Sequence, residues 1–151
     1  MIKVLFVCHG NICRSPMAEF LFRDFVEKKG EGDKFYIESA ATSSEELGNP
    51  VYPPAKRVLN RCGIDCSKKF ARRLTLSDYD KFDYIIGMDE MNVRNMYRLF
   101  GEDKDGKISK LLDFTDAKRD VADPWWTGDF EATYNDVING INGFYKNLKN
   151  F

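Results

Sequence analysis

Cys8 and Arg14 flank a five-residue loop, His9, Gly10, Asn11, Ile12 and Cys13, near the start of the chain. A thiol of ordinary pKa, about 8.5, is only partly ionised at neutral pH. Beneath a helix N-terminus and beside a guanidinium it ionises more readily, which makes Cys8 a candidate nucleophile. Arg14 offers a planar fork that can hold two oxygens of a tetrahedral oxyanion, a geometry lysine lacks. The ligand implied is phosphate or a close mimic. Backbone N–H groups between His9 and Ser15 can wrap that anion. A Walker-type loop is excluded, because no Gly-Lys-Ser/Thr follows further glycines.

A thiolate that attacks phosphorus expels an alkoxide or phenoxide, and that oxygen needs a proton. Asp123, in VADPWW (residues 121–126), is the candidate acid, and in a second step the base that activates water. Pro124 restrains it to extended backbone. Trp125 and Trp126 can wall a cleft for an aryl substrate and, by lowering the local dielectric, raise the carboxyl pKa. Asp113, Asp116 and Asp120 are rival acids, and an Asp before Pro is also an ordinary turn residue. Cys13 is either filler or the partner of Cys8 in a reversible disulfide. Ser15 reads as the N-cap of the next helix, and its hydroxyl can also bond the Cys8 sulfur. Asn11 suits a left-handed backbone with its amide holding the loop. His9, leaving a strand end beside Cys8, reads as a rim residue facing solvent.

The elements that must position these groups follow from apolar spacing. Residues 4–7 are a continuous apolar run, the pattern of a buried parallel strand. Residues 16–29 have helical spacing, with Pro16 at the first helical position. Further strands are expected at 35–37, 83–88 and 111–114, and helices at 55–62, from Asp89 through Phe100, and at 130–148. Asp89 is placed to cap its helix. Residues 39–54 read as a loop, and 102–106 as a solvated turn that lacks the ligand pattern of a calcium loop. The basic run Lys68, Lys69, Arg72 and Arg73 reads as a solvated face rather than a docking patch. Strands alternate with helices, which predicts an α/β fold: a four-stranded parallel, doubly wound sheet with helices on both faces. The ligand site of such a sheet lies at the carboxyl ends of its strands, where Cys8 stands.

The 151 residues fit a single domain, with 43% hydrophobic and 31% charged residues, as in a soluble globular protein. A net charge of -1 argues against a nucleic-acid-binding face, and no apolar stretch is long enough for a membrane span. The first strand begins so early that no signal peptide is expected, and a working thiolate suits the reducing cytoplasm. Four cysteines at 8, 13, 62 and 66, with His9 the single histidine, lack zinc-knuckle spacing, so no metal is expected.

VCHGNICRSPMAE (residues 7–19) together with DPWW (123–126) resembles the low-molecular-weight protein tyrosine phosphatases. SAAT (39–42), GNP (48–50), GID (63–65), ARRLT (71–75) and FDYIIGMDEMN (82–92) extend the likeness along the chain. The resemblance implies hydrolysis of phosphotyrosine through a cysteinyl-phosphate intermediate, with no metal or organic cofactor. It implies a tyrosine-phosphorylated protein or small aryl phosphate as partner; a monomer is expected, with room for weak self-association. By the motif, Cys8 is the nucleophile, Arg14 the phosphate clamp and Asp123 the acid and base. Asn11 and Ser15 shape the loop and stabilise the thiolate, Cys13 is the protective second cysteine, and Asp89 supports the site. Three departures stand out. Trp125 and Trp126 replace a common tyrosine pair. Lys69 stands where many members have a histidine that braces the loop asparagine. Glu45, beside Glu46, occupies a position on the substrate loop where several members have tryptophan. An acidic rim there is expected to disfavour acidic peptides. Arsenate reduction on the same fold, and a module that only grips phosphate, are the alternatives.

Overall fold

β1 (Ile2–Cys8) runs through the centre of a computed structural model that describes residues 1–148. β2 (Phe35–Ala41), β3 (Tyr84–Gly87) and β4 (Ile108–Lys110) complete a sheet of order β2-β1-β3-β4, parallel throughout. The expected four-stranded doubly wound sheet is therefore present. Because successive side chains point to opposite faces, β1 feeds two cores. Val4, Phe6 and Cys8 pack under α1 (Arg14–Lys28), α2 (Pro53–Arg61) and α6 (Phe130–Asn147), whereas Leu5 and Val7 meet Phe82, Ile85 and Met96. Met96 belongs to α4 (Glu90–Phe100), on the second face, near the one-turn α3 (Asp78–Lys81). Burial on both faces accounts for the unbroken apolar run.

β1 is flanked by β2 on one side and β3 on the other, so the direction of winding reverses at the end of β1. A crevice opens there between diverging connections. Cys8 pairs with Ala41 in the β1–β2 register and lies at that crevice. Among the described residues, no helix is long and apolar enough to cross a membrane.

Three expectations need correction. β4 is Ile108–Lys110, not 111–114. The Asp103 carboxylate accepts the Lys107 and Ile108 amides at 2.9 and 3.0 Å, and the Ile85 amide donates to the Lys107 carbonyl, which sets the pairing three residues earlier. Leu111–Phe114 is instead a 3-10 turn pressed on α6. Leu111 lies over Gly140, and a Cβ on Gly143 would overlap the Phe114 carbonyl, so both glycines are needed for that approach. The turn at 102–106 is thus partly structural. Second, β2 runs to Ala41, so 39–41 are strand rather than loop. Third, a short helix, α5 (Pro124–Thr127), occupies part of the stretch read as loop, and Asp123 caps it.

Candidate active site

The loop after β1 closes on itself through Asn11. Its φ of 59° lies in the left-handed region, which asparagine tolerates better than most residues. The buried side chain is fully engaged. Nδ2 donates to Ser15 Oγ at 2.8 Å and to Ser39 Oγ at 2.9 Å, and Oδ1 accepts the Arg72 amide at 3.1 Å. These partners fix the amide orientation. Tyr52 N donates to the Ile12 carbonyl at 2.8 Å, tying the loop to the segment before α2. The N–H groups of Gly10, Asn11, Ile12 and Cys13 donate to no protein acceptor among the described residues. They leave a ring of donors available to an anion.

Ser15 is not the N-cap. α1 begins at Arg14, Cys13 holds the cap position without a side-chain cap bond, and Pro16 is third in the helix. The Ser15 hydroxyl is instead 2.9 Å from Cys8 Sγ, and its amide donates to the same sulfur at 3.4 Å. Since Ser15 Oγ already accepts from Asn11, its own hydrogen is free to point at the sulfur. Two donors thus converge on Cys8, which is 3% exposed.

Arg14 is 2% exposed and held on two sides. Nη1 donates to Asp89 Oδ2 at 2.7 Å and to the Val121 carbonyl at 3.0 Å, while Nη2 lies 3.6 Å from Asp123 Oδ2. Burial by itself would lower the Arg14 pKa. The Cys8 sulfur, then Asp89 and Asp123, outweigh it and raise the value, so the guanidinium stays charged. Asp89 caps α4 as expected, in a reciprocal pair with Asn92: Oδ1 accepts the Asn92 amide at 2.8 Å, and Asn92 Oδ1 accepts the Asp89 amide at 3.1 Å. The other carboxylate oxygen is left for Arg14.

Asp123 reaches the site because the Val121 amide donates to Met88 O at the end of β3. Its backbone is extended, as the following proline requires, and its Oδ1 accepts the Trp125 amide at 3.0 Å. Asp123 lines the same cleft, of about 460 Å³, as Cys8 and Arg14. Asp113, Asp116 and Asp120 do not. Asp120 is engaged by Lys110 at 3.0 Å and by the Glu90 amide.

His9 is exposed at the rim, and its Nε2 is 2.9 Å from Glu45 Oε2. Glu45, Glu46, Trp125 and Trp126 all border the cleft. Trp125 rests on Tyr52, with ring centroids 4.9 Å apart, whereas Trp126 is 83% exposed. All four cysteines are free thiols. Burial, followed by the charges of Cys8 and Asp123, pushes the Cys13 thiol far up, so Cys13 remains protonated beside Cys8. Cys62 and Cys66 line no part of the cleft.

The basic run is not a uniform solvated face. Lys68 and Arg73 are exposed, but Lys69 points inward, donating to the Ser39 carbonyl at 2.9 Å and pairing with Glu19 at 3.4 Å. Burial lowers its pKa despite Glu19. Among the described residues Lys69 makes no hydrogen bond to Asn11, whose Oδ1 accepts the Arg72 amide instead. The Arg72 side chain pairs with Asp78 at 3.1 Å and Glu38 at 3.3 Å. Sequence reasoning missed Ser39 and Glu19 as parts of the site. Ser39 Oγ donates to Glu19 Oε1 at 2.5 Å, which extends the Cys8–Ser15–Asn11 chain into the core. Extending β2 by four residues would have exposed that link, since the strand register brings Ser39 beside Phe6.

A family model described as low molecular weight phosphotyrosine protein phosphatase matches residues 3–150. The chain belongs to that family. It is 44% identical over 133 residues to the low-molecular-weight protein-tyrosine-phosphatase YfkJ of Bacillus subtilis, covering 87% of this chain and 85% of that one. The crystal structure of YfkJ superposes with a TM-score of 0.93 at 40% identity, over 97% of this chain and 93% of that chain. The low-molecular-weight protein tyrosine phosphatase of Streptococcus pyogenes gives 0.88 at 41% identity, over 99% and 95%. With its family's fold and the Cys-x5-Arg loop intact, this low-molecular-weight phosphatase is an enzyme.

Proposed function

We propose that the protein hydrolyses phosphotyrosine and small aryl phosphates in two steps through a cysteinyl phosphate. The observation that carries this is the meeting of the Cys8 sulfur, the Arg14 guanidinium and the Asp123 carboxylate at one cleft. The phosphoryl group sits in the ring of loop amides with its oxygens on Arg14. Cys8 Sγ attacks phosphorus as a thiolate and a P–S bond forms. The P–O bond to the phenol breaks on the far side, and protonated Asp123 gives its proton to that oxygen. Asp123, now ionised, takes a proton from water as the water attacks phosphorus. The P–S bond breaks, phosphate leaves, and the Ser15 hydroxyl and amide receive the returning thiolate. The Asn11 side chain and Asp89 position these groups without touching the substrate. Under oxidants, Cys13 serves as the partner of Cys8 in a reversible disulfide. Arsenate reduction is disfavoured because no further cysteine reaches the cleft to pass oxidation onward.

Asp123→Asn tests the acid role. It keeps the cap on α5 but removes the proton. Turnover of phenyl phosphate, a poor leaving group, should fall by about 10²- to 10³-fold, and that of para-nitrophenyl phosphate by much less. A loss independent of leaving-group pKa would contradict the assignment.

A further inference from the structure

A second hollow adjoins the catalytic cleft. His9 and Glu45 line both, so their 2.9 Å contact forms the ridge between them. Beyond that ridge the wall carries Arg73, in the segment after Arg72, and Arg98, from α4. Five arginines of this chain hold carboxylates: Arg14 with Asp89, Arg23 with Glu19, Arg61 with Glu131, Arg72 with Asp78, Arg119 with Asp136. Among the described residues Arg73 and Arg98, like Arg57 and Arg94, hold none, but only Arg73 and Arg98 border this hollow, and Arg98 bonds Asn95 Oδ1 at 3.3 Å. Two exposed guanidinia brought to one hollow from separate elements give it a positive wall that an anion can join. The one carboxylate on that wall, Glu45, is already bonded to His9.

We infer that this hollow is a specificity subsite that takes the carboxylate of an acidic residue flanking the phosphotyrosine of a peptide substrate. The inference rests on the phosphatase reading of the cleft and adds the chemistry of its substrate. A chain whose phosphotyrosine enters beside Trp125 crosses the His9–Glu45 ridge and lays its neighbouring side chain between Arg73 and Arg98. The expectation that an acidic rim turns acidic peptides away took Glu45 as a free charge. Glu45 is bonded to His9, and the ground behind it is basic. Glu46 lines the catalytic cleft but not the hollow, so acidic and basic features occupy different sides of the mouth. Such a mouth also sets the direction in which a peptide lies.

The test compares kcat/KM for two phosphotyrosine peptides that differ only in flanking Asp and Glu against Asn and Gln. Para-nitrophenyl phosphate serves as a substrate too small to reach the hollow. The unaltered protein should favour the acidic peptide by roughly tenfold, and the preference should shrink as salt is raised. The double variant Arg73→Ala, Arg98→Ala should lose the preference with its para-nitrophenyl phosphate kinetics unchanged. The variant Arg73→Glu, Arg98→Glu should reverse it. Equal rates on both peptides in the unaltered protein, or a preference that survives both variants, would overturn the subsite while leaving the catalytic reading intact. No turnover of para-nitrophenyl phosphate by the unaltered protein would overturn the catalytic reading, and the subsite with it.

Discussion

Cys8→Ser is expected to abolish turnover, with a loss of at least about 10⁴-fold on any aryl phosphate, while phosphate still binds. A serine hydroxyl is a far weaker nucleophile than a thiolate, and among the described residues no base is hydrogen-bonded to residue 8 to deprotonate it. The two groups that face the sulfur, the Ser15 hydroxyl and amide, are both donors to it. They favour an anion already formed but cannot accept a proton from an alcohol. The only histidine, His9, is occupied at the rim with Glu45. Binding should survive because the loop amides and Arg14 are untouched. Steady-state kinetics together with calorimetric titration of inorganic phosphate would show the split. Residual activity within a hundredfold of the unaltered protein would mean that sulfur does not attack.

Arg14→Lys should cost about 10⁴-fold in kcat/KM, although charge is retained. A lysine cannot place two parallel N–H groups on the phosphoryl oxygens while also donating to Asp89 and Val121 O. Losing one preorganised donor to a transition-state oxyanion commonly costs about 10²- to 10³-fold, and here two are lost. In addition, Asp89 and Asp123 would lose the guanidinium that lies 2.7 and 3.6 Å from them, so their charges near the anion site would be offset less well. Both kcat and phosphate inhibition should weaken, and circular dichroism would check that the fold is kept. A change confined to KM would assign Arg14 to ground-state binding alone.

The local part of the site was legible because it is written in one short stretch. A strand that ends in cysteine and a left-handed asparagine need little tertiary information, and both are present; Arg14 was read as the last loop residue, and its burial as the first residue of α1 was not foreseen. Asp123 and Asp89 could be singled out because a proline and a cap mark their backbones, and both lie at the cleft beside Arg14. Ser15 was misread as a cap because its type suits that role. In the folded chain its hydroxyl is claimed by Cys8 and Asn11, which a local rule cannot see. Lys69 and Arg72 were read as solvated from their charge, since their partners Glu19, Glu38 and Asp78 become neighbours only after β2 and α1 pack. Leu111 and Leu112 looked like strand because burial against α6 produces the same apolar signal as burial in a sheet. The sheet, whose strands are covered on both faces, left a much less ambiguous trace.

The most direct test is rapid acid quenching of the protein during turnover of para-nitrophenyl phosphate, followed by mass spectrometry of its peptides. The mechanism predicts a phosphoryl group on the peptide that carries Cys8, formed within one turnover and lost as phosphate appears. A phosphoryl group on any other residue, or turnover with Cys8 never modified, would contradict it.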